Sequence, residues 1–373
     1  MSLPILCDLT SLITFCYRSG IQRVTREVLR HWPDPDTLMP CAFDAQGRLR
    51  LLSRAVLAIL SPQQGSSAAG IEEERRAVAA LEGQARNLPE DAPRRVLNLE
   101  LFYEESRADA YIALAGAGWQ TRFMVYDFFP WLHPEFYPIG TTQHCMHYLR
   151  ALRCVEPAFI SEQTQHEYAK RIMRGQGRPG PVLPLGADAL GLEHQSWSRG
   201  RRSFVAIGTL EARKNPDRLM EATRLLWQRG LDTRLTIAGR IEDKYRPALA
   251  NLNVMSRGRL TVLDQPSDEA LRTALRDARA VVYASEIEGF GLPPYESLFV
   301  GIPSIAAAAL PSMQLLPSRG HVALQRIDAE TLADAMASML DDSFAERLWQ
   351  EAADIELPTW RDFTRAVAAW ATA

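Results

Sequence analysis

The second half of this 373-residue chain alternates short apolar runs with helix-like segments, and few folds accept that alternation. Phe204–Ile207, Leu235–Ala238, Leu260–Leu263, Val281–Tyr283 and Ile305–Ala307 are each about strand length, and several are rich in β-branched residues. Asn215-Pro216-Asp217 reads as a helix start, with an N-cap residue, a proline at the first helical position and an acid in the first turn. Leu219, Ala222 and Leu226 then follow a 3.6-residue stripe. Ser267-Asp268-Glu269 opens a second helix, with Leu271 and Leu275 on one face. Strand and helix in turn predict a parallel α/β sheet covered on both faces.

The first half repeats this theme less regularly. Strand candidates are Ile5–Cys7, Val96–Leu99, Phe123–Tyr126 and Ala158–Ile160; helix candidates are Ile21–Trp32, His144–Val155 and Gln163–Met173. Residues 61–92 read as a flexible loop followed by a solvated helix, a surface insertion with a substrate lid as the alternative. The polar stretch Glu193–Gly200 breaks the periodicity and is read as a linker. The chain thus divides into an N-terminal domain of residues 1–195, a C-terminal domain of 196–355 and a last segment, 356–373. Two parallel α/β domains joined in this way are expected to face each other across a cleft at the carboxyl ends of their strands.

Composition excludes several classes of function. The formal net charge of -3 leaves no basic excess for a nucleic-acid backbone. No run approaches the ~20 apolar residues that span a bilayer, and the Met1–Pro4 start does not read as a secretory signal. Five scattered cysteines without a C-x-x-C pair read as reduced, buried thiols of a cytoplasmic protein.

Two segments carry chemistry. Glu286–Glu296 follows a strand and runs through Gly289, Phe290, Gly291 and Leu292 into a helix. Glycines let the backbone approach a ligand closely, and helix-start amides attract an anion, a diphosphate being the natural guest. Glu296, read as lying in the first helical turn, suits ribose hydroxyls, with plain complementation of the helix dipole as the alternative. Gly208–Asn215 joins another strand to a capped helix. Adjacent cations at a helix start, here Arg213 and Lys214, are unfavourable without an anion, so they point to a diphosphate, with a solvated surface pair as the alternative.

These residues resemble the retaining glycosyltransferases of family four. Glu288–Glu296 resembles the family's motif of two glutamates separated by seven residues, and Gly208–Asn215 resembles its phosphate-binding loop. Ser19–Val24 resembles the glycine loop. Tyr126–Pro130, with His133–Glu135, is similar to a signature of bacterial mannosyl- and rhamnosyltransferases of surface-polysaccharide (O-antigen) assembly, and Val182–Asp188 resembles the end of the acceptor domain. The resemblance implies a GT-B fold of two facing Rossmann-like domains, the N-terminal one binding acceptor and the C-terminal one binding donor. It implies that Glu296 holds the ribose, that Arg213 and Lys214 hold the diphosphate, and that Glu288 meets the transferred sugar. The amides around Gly291 and Leu292 assist, and Gly20 closes on the same diphosphate. Asp127 lies near the reacting carbon, with a turn cap as the alternative. The final helix, around Trp360–Trp370, crosses back onto the N-terminal domain. Leu310-Pro311-Ser312-Met313 departs from the proline-glutamate pair of many relatives.

No cofactor and no metal are expected; the co-substrate is a nucleotide sugar, GDP-mannose by resemblance. Asp34-Pro35-Asp36 imitates a metal-binding D-x-D but reads as a turn, and His133, His144 and His147 suggest no metal site. The acceptor is a carbohydrate or a lipid-linked saccharide. Arg48–Leu57 is basic and amphipathic; it reads as a strand leading into a core helix, with contact to anionic lipid as the alternative. The expected location is the cytoplasm, with peripheral contact at the inner face of the plasma membrane left open. Competing readings are a nucleotide-sugar epimerase or phosphorylase-type enzyme on the same architecture and an inactive nucleotide-sugar-binding protein.

Overall fold

The computed structural model describes residues 3–15, 19–61, 68–176 and 179–373. They form two compact units, Met1–Gly186 with Pro358–Ala373, and Ala187–Leu357.

The first unit has strands β1 (Ile5–Asp8), β2 (Leu38–Phe43), β3 (Leu49–Leu51), β4 (Arg86–Asn87), β5 (Arg95–Asn98), β6 (Gln120–Val125) and β7 (Glu156–Phe159). Their order is β4-β3-β2-β1-β5-β6-β7, parallel except where β3 and β4 turn antiparallel at one edge. Its helices are α1 (Thr10–Phe15), α2 (Gly20–His31), α3 (Ala55–Leu60), α4 (Ala68–Glu82), α5 (Glu105–Gly116), α6 (Phe129–Leu132), α7 (Thr141–Leu152) and α8 (Glu162–Glu167). The second unit has β8 (Ser203–Ile207), β9 (Arg234–Gly239), β10 (Leu260–Asp264), β11 (Ala278–Tyr283), β12 (Ser304–Ala307) and β13 (His321–Leu324). All six are parallel, in the order β10-β9-β8-β11-β12-β13. Helices α9 (Pro216–Gln228), α10 (Arg246–Ser256), α11 (Asp268–Arg276), α12 (Leu292–Phe299), α13 (Pro311–Gln314), α14 (Ala329–Met339) and α15 (Asp342–Ala353) complete it, and α16 (Trp360–Thr372) belongs to the first unit.

Central strands are buried on both faces: every residue of β1 and β11 lies inside. This is why they read as continuous apolar runs. In the second unit the chain reverses its direction of growth between β8 and β11. At such a switch point the loops leaving two adjacent strands part, and a crevice opens at their carboxyl ends. The two chemically suggestive loops leave these two strands.

Some local expectations need correction, while the strand-to-helix reading of 48–57 and the return of the last helix to the first unit hold. The compact units divide at Gly186, so Glu193–Gly200 lies inside the second unit and is not a free linker. Gln195 donates its amide to the Val300 carbonyl at 2.7 Å, and Arg279 lies over the Trp197 ring at 4.7 Å. Gly186 touches the returning chain: a β-carbon there would stand 2.3 Å from the Trp360 nitrogen. α16 then packs on α2, burying Trp360, Phe363 and Val367, while Arg122 donates to the Trp370 and Ala373 carbonyls. The 61–92 insertion lies partly outside the described residues. Its helix α4 is docked as well as solvated, because Val78 is buried and Glu74 pairs with buried Arg26, which also donates to the Leu60 carbonyl. The basic run at 48–57 enters β3 and α3 and buries Leu52 and Val56, so its apolar side faces the core. Cys7, Cys41 and Cys145 are buried free thiols, but Cys154 is exposed just beyond α7; Cys16 lies outside the described residues. No described helix is long and apolar enough to cross a membrane.

Candidate active site

Two loops of the second unit build one cluster. After β8 the chain turns through Gly208, at φ 125°, a backbone region open to glycine. A short 3-10 turn, Ala212–Lys214, then leads to Asn215, a left-handed residue at φ 49°. The Asn215 amide holds that turn by donating to the Ala284 carbonyl and the Glu286 carboxylate, both at 3.0 Å. Arg218, one turn into α9, pairs with Glu286 as well. The two loops are thus tied together before any ligand is considered.

Arg213 lies at the centre. Its Nη1 reaches Glu288 at 2.5 Å and its Nη2 reaches Glu211 at 2.7 Å. Nη1 also donates to the Ile287 carbonyl at 3.1 Å. The other oxygen of Glu288 accepts the Tyr283 hydroxyl at 2.5 Å. Burial alone would raise Glu288, but Lys214, Arg213 and the Tyr283 hydroxyl together hold it below the usual carboxylate range. Burial likewise opposes charge on Arg213, yet Glu288 and Glu211 more than offset this and keep its proton firmly bound. The anion that adjacent cations at this loop require is therefore supplied partly by the protein itself.

Lys214 differs. Its Nζ lies over the Tyr283 ring at 5.6 Å, and a β-carbon on Gly208 would come within 2.9 Å of it. It makes no ion pair with the described residues. Burial lowers its pKa, against the pull of Glu288, with Arg213 adding to the fall. An incoming anion would relieve that strain.

The second loop turns at Gly291, φ 92°, the N-cap of α12. α13 clamps it: the Ser312 amide donates to the Phe290 carbonyl at 2.9 Å, and its hydroxyl to the Gly291 carbonyl at 2.7 Å. Gly289 and Leu292 are half-buried. Phe290 is a core anchor, packed edge-on against Tyr295 at 5.2 Å. Glu296 is not in the first turn as expected. Leu292 opens the helix, so Glu296 stands one full turn in, and it is buried at 2% exposure. Pro293 and Pro294 lack amide hydrogens, so Leu292 alone among the first three helical positions offers a donor. The anion-attracting power read from a bare helix start is reduced accordingly.

In the first unit, Asp127 accepts the Phe129 amide at 3.1 Å. It is therefore a turn cap, whatever else it does; burial raises the nearby Cys145 and Tyr148, and the Asp127 charge adds to that rise. Gly20 is the first residue of α2, behind a Ser19–Gln22 capping box, and none of the described residues lies within 4 Å of where a side chain would stand. Packing does not require glycine at that position. Residues 16–18 lie outside the described residues. His133 pairs with Glu135 at 3.3 Å. Asp34 caps a turn and Asp36 pairs with Arg54, as befits a plain loop. Among the described residues no cluster of His, Cys, Asp or Glu is arranged to hold a metal ion. The sequence reading missed Glu211, Tyr283 and Ser312. A lone tyrosine in a strand carries no local sign of its partner, whereas Glu211, two residues before Arg213, was open to notice.

Comparison with known proteins places this geometry in a class. Residues 193–354, which hold both loops, match the family model described as "Glycosyl transferases group 1". Solved structures align over nearly the whole chain. One is HepE of Anabaena in complex with UDP and glucose, with TM-score 0.66 at 14% identity over 99% of both chains. Another is WaaG, a glycosyltransferase involved in lipopolysaccharide biosynthesis, with TM-score 0.62 at 14% identity over 100% of both. The fold is GT-B, and the second unit carries a group 1 glycosyltransferase domain. More particularly, the curated relatives are mannosyltransferases. Over 106 residues the chain is 34% identical to the serotype-specific mannosyltransferase WbdA of Escherichia coli, covering 28% of this chain and 13% of that protein. Over 188 residues it is 26% identical to the GDP-mannose:cellobiosyl-diphosphopolyprenol alpha-mannosyltransferase of Xanthomonas oryzae pv. oryzae, covering 48% of this chain and 49% of that one. The chain thus spans less than half the length of these relatives.

Proposed function

We propose that this chain is a retaining, metal-independent glycosyltransferase that moves a hexosyl group, mannose by its relatives, from a nucleotide sugar to a saccharide acceptor. The acceptor is a carbohydrate or a lipid-linked saccharide of surface-polysaccharide synthesis. One observation carries the reading: the loops after β8 and β11 meet at a switch point and gather Lys214, Arg213 and Glu288 there.

Breaking a glycosidic bond to a diphosphate builds negative charge on the leaving group and positive charge on the sugar. Lys214, poorly solvated and without an ion pair among the described residues, is the cation for the leaving diphosphate. Arg213 supports it and orients Glu288, whose ionised carboxylate then faces the sugar. Glu296 holds the ribose hydroxyls, and the amides of Gly291 and Leu292 assist at the phosphates. By the family resemblance, Gly20 serves the diphosphate and Asp127 steadies the oxocarbenium or the attacking hydroxyl.

The test is a panel of GDP-, UDP- and dTDP-sugars, first by thermal shift and then by product analysis with a saccharide acceptor. Expected are stabilisation by one nucleotide class and a transferred sugar of retained anomeric configuration. Chelation should leave most of the rate. An epimerised donor without transfer supports the epimerase instead; tight donor binding without turnover supports the binding protein.

A further inference from the structure

α7 presents Met146, Leu149, Arg150 and Arg153 on one stripe, spaced as successive turns of a helix require. Opposite lies the chain after α8. There the helix widens into a five-residue π-type turn, Tyr168–Ile172, closed by Met173 donating to the Tyr168 carbonyl at 2.8 Å. Arg174 follows in the left-handed region, at φ 50°, which costs a non-glycine residue about 1–2 kcal/mol. Between the two elements is a cavity of about 510 Å³. Its walls carry Arg150, Arg153, Arg171 and Arg174, and among the described residues no carboxylate lines it. Leu149, Ile172 and Met173 supply apolar surface, and Met146 stands at the cavity with 47% of its surface exposed.

The arginines are not equivalent. Arg150 is held by Glu105 and Asp109, at 3.4 and 2.5 Å. Arg153, Arg171 and Arg174 form no ion pair with the described residues and are exposed. Three uncompensated guanidinium groups around one hollow, in a chain of net charge -3, call for an anion. Guanidinium forks match phosphate oxygens. A bare anion leaves the apolar surface unused. A nucleic acid would want aromatic stacking surfaces, and among the described residues no aromatic lines the cavity. A partner helix would want apolar anchors over several turns, and this stripe supplies barely two.

We propose that this cavity binds a phosphorylated amphiphile: the phosphate at Arg153, Arg171 and Arg174, and the first carbons of its alkyl chain on Leu149, Ile172 and Met173. The proposal is independent of the glycosyl-transfer reading, since none of these residues is assigned there.

The test uses the full chain. Flotation is run with phosphatidylcholine vesicles with and without phosphatidic acid. Calorimetric titration compares monomeric dihexanoyl phosphatidic acid with inorganic phosphate and with an acidic amphipathic peptide. Expected is salt-sensitive binding to the anionic vesicles and to the short-chain lipid. The triple variant Arg153→Ala, Arg171→Ala, Arg174→Ala should weaken it roughly tenfold or more. Met146→Ser should weaken it too, with an unchanged melting temperature. A control of equal charge loss, Arg257→Ala, Arg361→Ala, Arg365→Ala, should bind as wild type. Absence of lipid binding overturns the proposal, as does an equal loss in the control. So does inorganic phosphate or the peptide binding as tightly as the lipid.

Discussion

Arg213 and Lys214 are neighbours in sequence, yet they meet different surroundings. Arg213 satisfies two carboxylates and braces the loop; Lys214 sits poorly solvated above a glycine and a tyrosine ring. Both substitutions to alanine are expected to lower kcat/KM with the donor, by about 10- to 150-fold, the worth of a hydrogen bond to a charged group. Their effects on stability should part. Arg213→Ala strands Glu288 inside and should cost on the order of 3 kcal/mol. Lys214→Ala removes a cation that burial disfavours and should leave the melting temperature nearly unchanged. Equal losses of stability in the two variants would refute this division.

Glu100 makes the other residue-scale case. Arg107, buried, serves two buried acids, reaching Asp8 at 2.7 Å and Glu100 at 3.2 Å, while Tyr111 donates to Asp8 at 2.5 Å. Burial raises Glu100 to about 7; Arg107 pulls it back and Asp8 raises it further. The folded chain therefore holds this proton between pH 4.5 and 7, where the unfolded chain has lost it. Stability from this group is complete below the unfolded value and is lost as pH rises through about 7. Glu100→Gln should flatten that slope, a difference on the order of 3 kcal/mol across the window. Denaturant melts from pH 4 to 8 would show parallel curves if the assignment is wrong.

At the scale of elements, the turn into α12 depends on α13. Gly291 is left-handed, and a β-carbon there would lie 3.0 Å from the Ser312 hydroxyl. Gly291→Ala is expected to cost about 1–2 kcal/mol for the backbone alone, plus the crowding. Ser312→Ala relieves that crowding at the loss of its own hydrogen bond. The double variant should therefore be less destabilised than the sum of the singles. A strictly additive cycle from denaturant melts would show that the clamp is not felt at Gly291. Within the departing Leu310–Met313 stretch, Ser312 holds the backbone of this turn through its amide and its hydroxyl.

At the scale of the molecule, each unit has its own core and α16 belongs to the first. Scanning calorimetry is expected to resolve two transitions, as separate cores permit. Trp360→Ala empties a fully enclosed site and should lower one transition by about 3–5 kcal/mol. A nucleotide diphosphate at 100 times its dissociation constant should raise the other by roughly 2.7 kcal/mol. A single transition that both perturbations move together would contradict independent units.

The amino-acid sequence by itself determined the class of fold. Strand-length apolar runs, Asn215-Pro216-Asp217 and the capped Ser267-Asp268-Glu269 start are local signals, each decided by the backbone geometry of a few residues. The family motifs likewise lie in continuous stretches. Other features were beyond local reading. β2 was hidden because Pro40 breaks the pattern of a strand that tertiary pairing nevertheless places beside β1. β3 and β4 are too short to announce themselves. The polar stretch 193–200 looks like a linker until its contacts with Val300 and Arg279 are seen. Most of all, the partners of charge came from folding. Glu288 meets Arg213 across 75 residues of chain, and Asp8 meets Arg107 across 99. Periodicity identifies which side chains turn inward; only the order of strands in the sheet decides which of them touch.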